Sequence, residues 1–239
     1  MELNEIEQRL NFYIRPQCFP LVVKLLAPGE KLPEKARVPL RDFGYEIMAC
    51  QGIGMARRYG WIVAMGKDDM SCAGAALGLG FVKQEELHPP EGGPVLSVPR
   101  MLEYGKYEYF VVAPIHSATF IPDVLAIYGD SAQIMRLTQA FVRQEKTVEA
   151  IATGAIDCAD IATTVNSPNP RCILPSGGDR VFGATQDFEM LFSIPWGKVE
   201  EAINGLESTH KLGMRYPTAS HLRFKPELPP FVDLKKMKS

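Results

Sequence analysis

The sequence predicts a mixed α/β domain: one sheet with helices packed on it, followed by an irregular C-terminal arm. Three observations carry this. Five short apolar runs (residues 21–26, 61–65, 107–113, 124–128 and 189–194) are bounded by Gly, Pro or Asp, as buried strands are. Segments with the apolar spacing of helices lie between them. The composition, 46% hydrophobic and 23% charged over 239 residues, is that of an ordinary globular chain.

Taken in order, residues 3–14 read as an amphipathic helix on Leu3, Ile6, Leu10 and Tyr13, ending before Arg15-Pro16. The strand at 21–26 leads into a Pro-rich loop from Pro28 to Pro39. Residues 45–59 read as a helix in which Gly52 and Gly54 each cost about 1 kcal/mol relative to Ala. The strand at 61–65 turns through Gly66-Lys67-Asp68-Asp69 into a helix of small residues at 71–79. Residues 83–99 are rich in Pro and Gly and read as loop. The strands at 107–113 and 124–128 are joined by a loop carrying His116 and Pro122-Asp123, and Asp130 or Ser131 caps a helix over 132–146. A short helix at 157–164, a long turn at 166–180, the strand at 189–194 and a helix at 196–206 complete the pattern.

This gives a single domain over 1–213 and a Pro-rich arm over 214–239. The arm carries Tyr216, Leu222, Phe224, Leu228 and Phe231, apolar content that is costly to leave in water. A homodimer with residues 214–234 in the contact is therefore expected, against the plainer reading of an arm lying on its own surface.

The bulk numbers exclude some classes. Net charge is −2 and the densest basic run, Lys235-Lys236-Met237-Lys238, is a short tail, which argues against a nucleic-acid surface. No apolar run reaches the roughly 18–20 residues of a transmembrane helix. The start, Met1-Glu2-Leu3-Asn4-Glu5, lacks the basic and apolar segments of a signal peptide, so a cytoplasmic location is expected. Five cysteines, none in a CxxC pair, read as free thiols, ligands or nucleophiles.

Gly52-Ile53-Gly54 resembles the start of a dinucleotide fingerprint, but that motif needs a preceding strand and a third glycine. Close helix packing explains the pair better. In Ser176-Gly177-Gly178-Asp179-Arg180 the glycines permit positive φ, so backbone N–H groups can form an anion-binding concavity that Arg180 completes. A plain tight turn is the competing reading. His88, His116, His210 and His221 show no zinc spacing, and no GxSxG elbow occurs.

The thiols remain. Cys72 opens the small-residue helix, where unpaired N–H groups stabilise a thiolate, and is the candidate catalytic residue. Cys50, Cys72, Cys158 and Cys172 are the candidate metal ligands, since soft thiolates select zinc, copper(I) or iron–sulfur centres. Cys18, beside an apolar strand, reads as a packing residue. Burial as small hydrophobes is the competing reading for all of them.

Arg15-Pro16, Cys50…Ala56-Arg57, Cys72-Ala73-Gly74-Ala75-Ala76-Leu77-Gly78-Leu79, Pro122-Asp123-Val124, Cys158, Gly177-Gly178-Asp179-Arg180 and Ile194-Pro195 resemble, in order, the family known as domain of unknown function 169, the archaeal conserved region. The resemblance spans about 15–205. It implies an anaerobic setting, which favours an iron–sulfur cluster, but no particular reaction. The family often has cysteine before the Gly-Gly; here that residue is Ser176, so a four-thiol site requires Cys172 to substitute or Ser176 to coordinate weakly.

Three functions follow as expectations. The first is a redox or cofactor protein holding a cysteine-ligated metal or iron–sulfur cluster, with an electron partner. The second is a small-molecule enzyme or binding protein, with an acidic ligand on Gly177, Gly178 and Arg180 and a reactive thiolate at Cys72. The third is an interaction subunit.

Overall fold

Strand β1 (Leu21–Leu26) sets the plan of the molecule, because alternate side chains leave it in opposite directions: Leu21, Val23 and Leu25 enter one core, Val22 and Leu26 the other. The computed structural model describes residues 1–88, 91, 98–218, 228 and 231–238. Its helices are α1 (Leu3–Tyr13), α2 (Pro39–Phe43), α3 (Ala49–Tyr59), α4 (Ala73–Gly78), α5 (Ser131–Val142), α6 (Asp157–Ala162), α7 (Gly177–Phe182), α8 (Val199–Lys211) and α9 (Leu234–Met237). The remaining strands are β2 (Val63–Met65), β3 (Tyr109–Pro114), β4 (Val124–Gly129), β5 (Glu149–Ile151), β6 (Arg171–Ile173) and β7 (Met190–Pro195).

Among the described residues seven strands form one sheet in the order β2-β3-β1-β4-β7-β6-β5, antiparallel except for the β5–β6 pair. Helices α1, α5 and α8 cover one face through Leu10, Leu137 and Leu206; α3, α4 and α6 cover the other through Ile53, Ala75 and Ile161. The mixed α/β expectation holds. All five expected strands are present, with the second shortened to three residues.

Two strands and three helices were not legible, the last of the helices being α9, which lies in the arm expected to be irregular. Strands β5 and β6 have three residues each, too few for alternation to register, and β6 lies inside the expected long turn at 166–180. Its place is fixed by pairing to β7, Arg171 opposite Ser193 and Ile173 opposite Leu191. Helix α2 begins at Pro39, a residue suited to the first helical position. The Gly177–Arg180 stretch, expected as a turn, is the first part of α7.

Residues Gly52 and Gly54 act through packing. A Cβ on Gly52 would collide with the Met65 side chain, and one on Gly54 would stand 2.6 Å from the Gly183 carbonyl oxygen. Helix α3 therefore presses on both β2 and the end of α7. Helix α5 starts where Asp130 accepts from the Gln133 amide at 2.8 Å and Gln133 Oε1 accepts from the Asp130 amide at 2.8 Å, a reciprocal cap.

Of the C-terminal arm, Leu222 and Phe224 lie outside the described residues. The described parts return to α5 of the same chain: Tyr216 Oη donates to Asp130 Oδ2 at 2.9 Å, and the Arg143 guanidinium lies 5.1 Å from the Phe231 ring centroid. No helix among the described residues is long and apolar enough to cross a membrane.

Candidate functional site

The 3.6-residue period places Cys50, Ile53 and Arg57 on one buried side of α3. A charged residue on an apolar helix side needs partners, and both terminal nitrogens of Arg57 have them, while its buried Nε has none among the described residues. Its Nη1 donates to Glu189 Oε2 at 3.1 Å, and its Nη2 to Gly183 O at 3.1 Å and Thr185 Oγ1 at 2.8 Å. The guanidinium also lies over the Tyr128 ring at 3.9 Å.

The network continues inward. Thr185 Oγ1 donates to Asp179 Oδ2 at 2.7 Å, and Asp179 faces Asp157 at the start of α6. Both carboxyls are buried, and Asp157 Oδ2, Asp179 Oδ1 and Tyr128 Oη have no hydrogen-bond partner among the described residues. Two ionised carboxylates have no proton to offer each other; a proton on Asp179 gives Asp157 a donor. Burial, and then the negative charge of Asp157, push the Asp179 carboxyl up to about 7. The Tyr128 phenol is pushed well up by burial and then by the charges of Asp179 and Asp157.

Three thiols adjoin this pair. Cys50 Sγ donates to Gly178 O at 3.4 Å. Cys72 is the N-cap of α4, its Sγ accepting from the Ala75 amide at 3.4 Å. Cys158, in α6, is buried. They are close enough to act on one another: burial first, then Asp179, Asp157 and Cys72, push the Cys50 thiol up to about 12. Burial, then Asp157, Cys72 and Cys50, push Cys158 well up. The two deeper thiols are thus neutral hydrogen-bonding groups at neutral pH.

The other candidates fall elsewhere. Cys172 leaves β6 on the opposite face of the sheet, packed with the α1, α5 and α8 core, so it does not join the three thiols. Ser176 does reach the site: its amide donates to Asp157 Oδ1 at 3.3 Å, and its Oγ caps α7 by accepting from Asp179 N at 3.1 Å. Gly177 and Gly178 are helical, with no left-handed φ, so no anion-binding concavity forms. Arg180 Nη1 is taken up by the Gln186 carbonyl at 2.6 Å in its own loop, and Arg180 pairs with no acidic side chain among the described residues. His116 Nδ1 pairs with Glu7 Oε1 at 2.9 Å.

Sequence reasoning missed Asp157, Asp179, Tyr128, Thr185 and Glu189 as site residues, and named Arg57 only within a motif. The position of Arg57 on the buried side of α3 was a usable signal. The carboxyl pair had none, because its members stand 22 positions apart with a strand between them. Among the described residues, no group of three His, Cys, Asp or Glu side chains could hold a metal ion as placed. The donor types, three thiols beside two underbonded carboxyls, suit a soft cation; loading has to draw the thiols together.

Exposure separates the thiols. Cys72 is half-buried and lines a cavity of about 420 Å³, whereas Cys50 and Cys158 are buried. Iodoacetamide is expected to modify Cys72 well before Cys50 or Cys158, as timed by peptide mass spectrometry. Equal rates at the three would show that the crevice opens in solution.

A family model described as uncharacterised ArCR, domain of unknown function 169, matches residues 9–205. No curated protein and no solved structure matches the chain.

Proposed function

This chain belongs to the uncharacterised ArCR family, DUF169, and we propose that it is a redox or cofactor protein built on a cysteine-ligated metal centre, an iron–sulfur cluster in the first instance. The observation that supports this is that Cys50, Cys72 and Cys158, brought from three separate segments, lie near enough for Cys72 to act on both buried thiols, with Asp157 acting on Cys50 and Cys158 and Asp179 on Cys50. When bound, such a centre supplies one-electron transfer. The chain's part is to hold it. Cys50, Cys72 and Cys158 are the thiol donors, and Ser176 stands where the family often has a fourth. Asp157 and Asp179 add negative charge that attracts a cation and penalises free thiolates, so loading releases protons and weakens as pH falls.

The test is anaerobic purification or reconstitution with iron and sulfide, read by visible absorption and metal analysis. Wild-type protein is expected to take up iron and colour, and Cys72→Ser to lose both while Cys172→Ser keeps them. Wild-type protein that stays colourless and binds no iron, zinc or copper(I) rejects the reading.

One observation favours a second reading, a small-molecule enzyme with Cys72 as nucleophile: Cys72 is half-buried and lines a cavity, where Cys50 and Cys158 are buried. A Cys72→Ser protein that retains its metal but loses a thiol-dependent activity supports it.

A further inference from the structure

A second cavity lies at the other end of α3 from the thiols, and its chemistry differs. It measures about 450 Å³ and is lined in part by Lys35, Arg37, Trp61, Ser117 and Thr119. The segment bearing the two cations is held from both sides. Arg37 is pinned to the edge of the sheet by its own backbone, its amide donating to Ile62 O at 2.8 Å and its carbonyl accepting from the Ala64 amide at 2.9 Å. The Ala36 carbonyl accepts from Arg41 Nη2 at 2.6 Å, and the Val38 amide donates to Asp42 Oδ2 at 2.6 Å.

The guanidinium of Arg37 lies over the Trp61 ring at 4.0 Å. Trp61 is itself set between Phe43 and Tyr59, with ring centroids at 6.0 and 5.3 Å. The plane of the guanidinium is thereby fixed while its N–H edges stay unused: among the described residues neither Arg37 nor Lys35 makes a side-chain hydrogen bond or ion pair. The nearby acids do not cancel them. Asp42 is occupied by Arg41 and the Val38 amide, Glu7 by His116, and the wall itself contributes only Glu34 against the two cations.

We propose that this cavity binds a small phosphate-bearing molecule, with the phosphate on Arg37 and Lys35 and the organic part against Trp61. A fixed guanidinium with free donors is suited to oxyanions, and stacking on tryptophan leaves its in-plane donors available. Two cations from one segment and two hydroxyls from another line the same cavity, a donor set more numerous than the two oxygens of a carboxylate use and suited to the three terminal oxygens of a phosphate. The volume is in the range of small-molecule sites and exceeds what a bare phosphate fills. The site is independent of the thiol centre.

Trp61 is one of two tryptophans, so Trp196→Phe makes it the sole reporter. The Trp196→Phe protein is titrated with inorganic phosphate, adenosine 5′-monophosphate, adenosine and citrate, reading Trp61 emission. A saturable change with the nucleotide, tighter than with phosphate and absent with adenosine, is expected. Adding Arg37→Gln should weaken nucleotide binding by about tenfold or more. That substitution keeps the backbone bridge to β2, and an unchanged thermal midpoint confirms the fold. No saturable change with nucleotide or phosphate at millimolar concentration, undiminished binding in the Arg37→Gln protein, or citrate binding as tightly as the nucleotide overturns the proposal.

Discussion

Replacing Arg57 by Leu is expected to destabilise the protein by about 3–5 kcal/mol, the range for removing one partner of a buried ion pair. The Arg57 side chain is 0% exposed and that of Glu189 2%, so neither charge has water to fall back on. Leu restores apolar volume but leaves the Gly183 carbonyl without the guanidinium donor, and leaves Thr185 and Tyr128 without their cation. Glu189 retains Arg58 at 3.1 Å, the Gln186 amide at 2.7 Å, and nothing from α3's buried side. The comparison that isolates burial is Arg58→Ala. Its side chain is 30% exposed and it contacts the same carboxylate, so its loss is expected to cost about 1 kcal/mol or less. Urea unfolding of both variants checks this, and adding Glu189→Gln to Arg57→Leu should recover part of the loss. Equal costs for the two arginines would mean that the buried pair is not what holds α3 to the 183–189 loop.

The second large effect is a pH dependence centred on Asp179. Its carboxyl titrates at about 7 in the folded chain against 3.8 for an ordinary aspartate. Between those values the folded state keeps a proton that the unfolded state has released. Stability from this residue is therefore complete below about pH 4, falls as pH rises towards 7, and is fully lost above it. The integrated loss is about 2–4 kcal/mol. Asn at 179 can still accept from Thr185 and can donate to Asp157 at every pH. The difference in unfolding free energy, Asp179→Asn minus wild type, is expected to grow in favour of the variant from pH 4 to pH 8 in metal-free protein. A difference that stays flat with pH would show that the two carboxyls do not share a proton.

Much of the architecture is readable in the sequence because it depends on local pattern. The strands at 21–26, 107–113, 124–128 and 189–194 are each near-continuous apolar runs of five or more residues, long enough for burial on both faces to leave a mark. Strand β6, with three residues, left none. Missing it left Cys172 among the candidate ligands, since the side chain's face follows from the register with β7 and from nothing nearer in the chain. The same short range hid the local state of the Gly-Gly segment. Gly177 and Gly178 permit a left-handed turn, but the Ser176 cap and the burial of Asp179 hold them in a helix, and Arg180 is left to close its own loop.

The sequence by itself determined the mixed α/β class, the short apolar runs that become the longer strands, and the thiols and glycines from which a site had to be chosen. Only the tertiary structure decided which of those residues meet. Cys50 reaches Gly178 across 128 positions of chain, and Arg57 reaches Thr185 across another 128. The packing of α3 against α7, made possible by the missing side chain at Gly54, brings them there. Local propensity and hydrophobic period act over a turn or a strand pair. The protonation of Asp179, the unused donors of Arg37 and the exclusion of Cys172 depend on what stands opposite each group once the layers have closed, and that is a property of the packed whole.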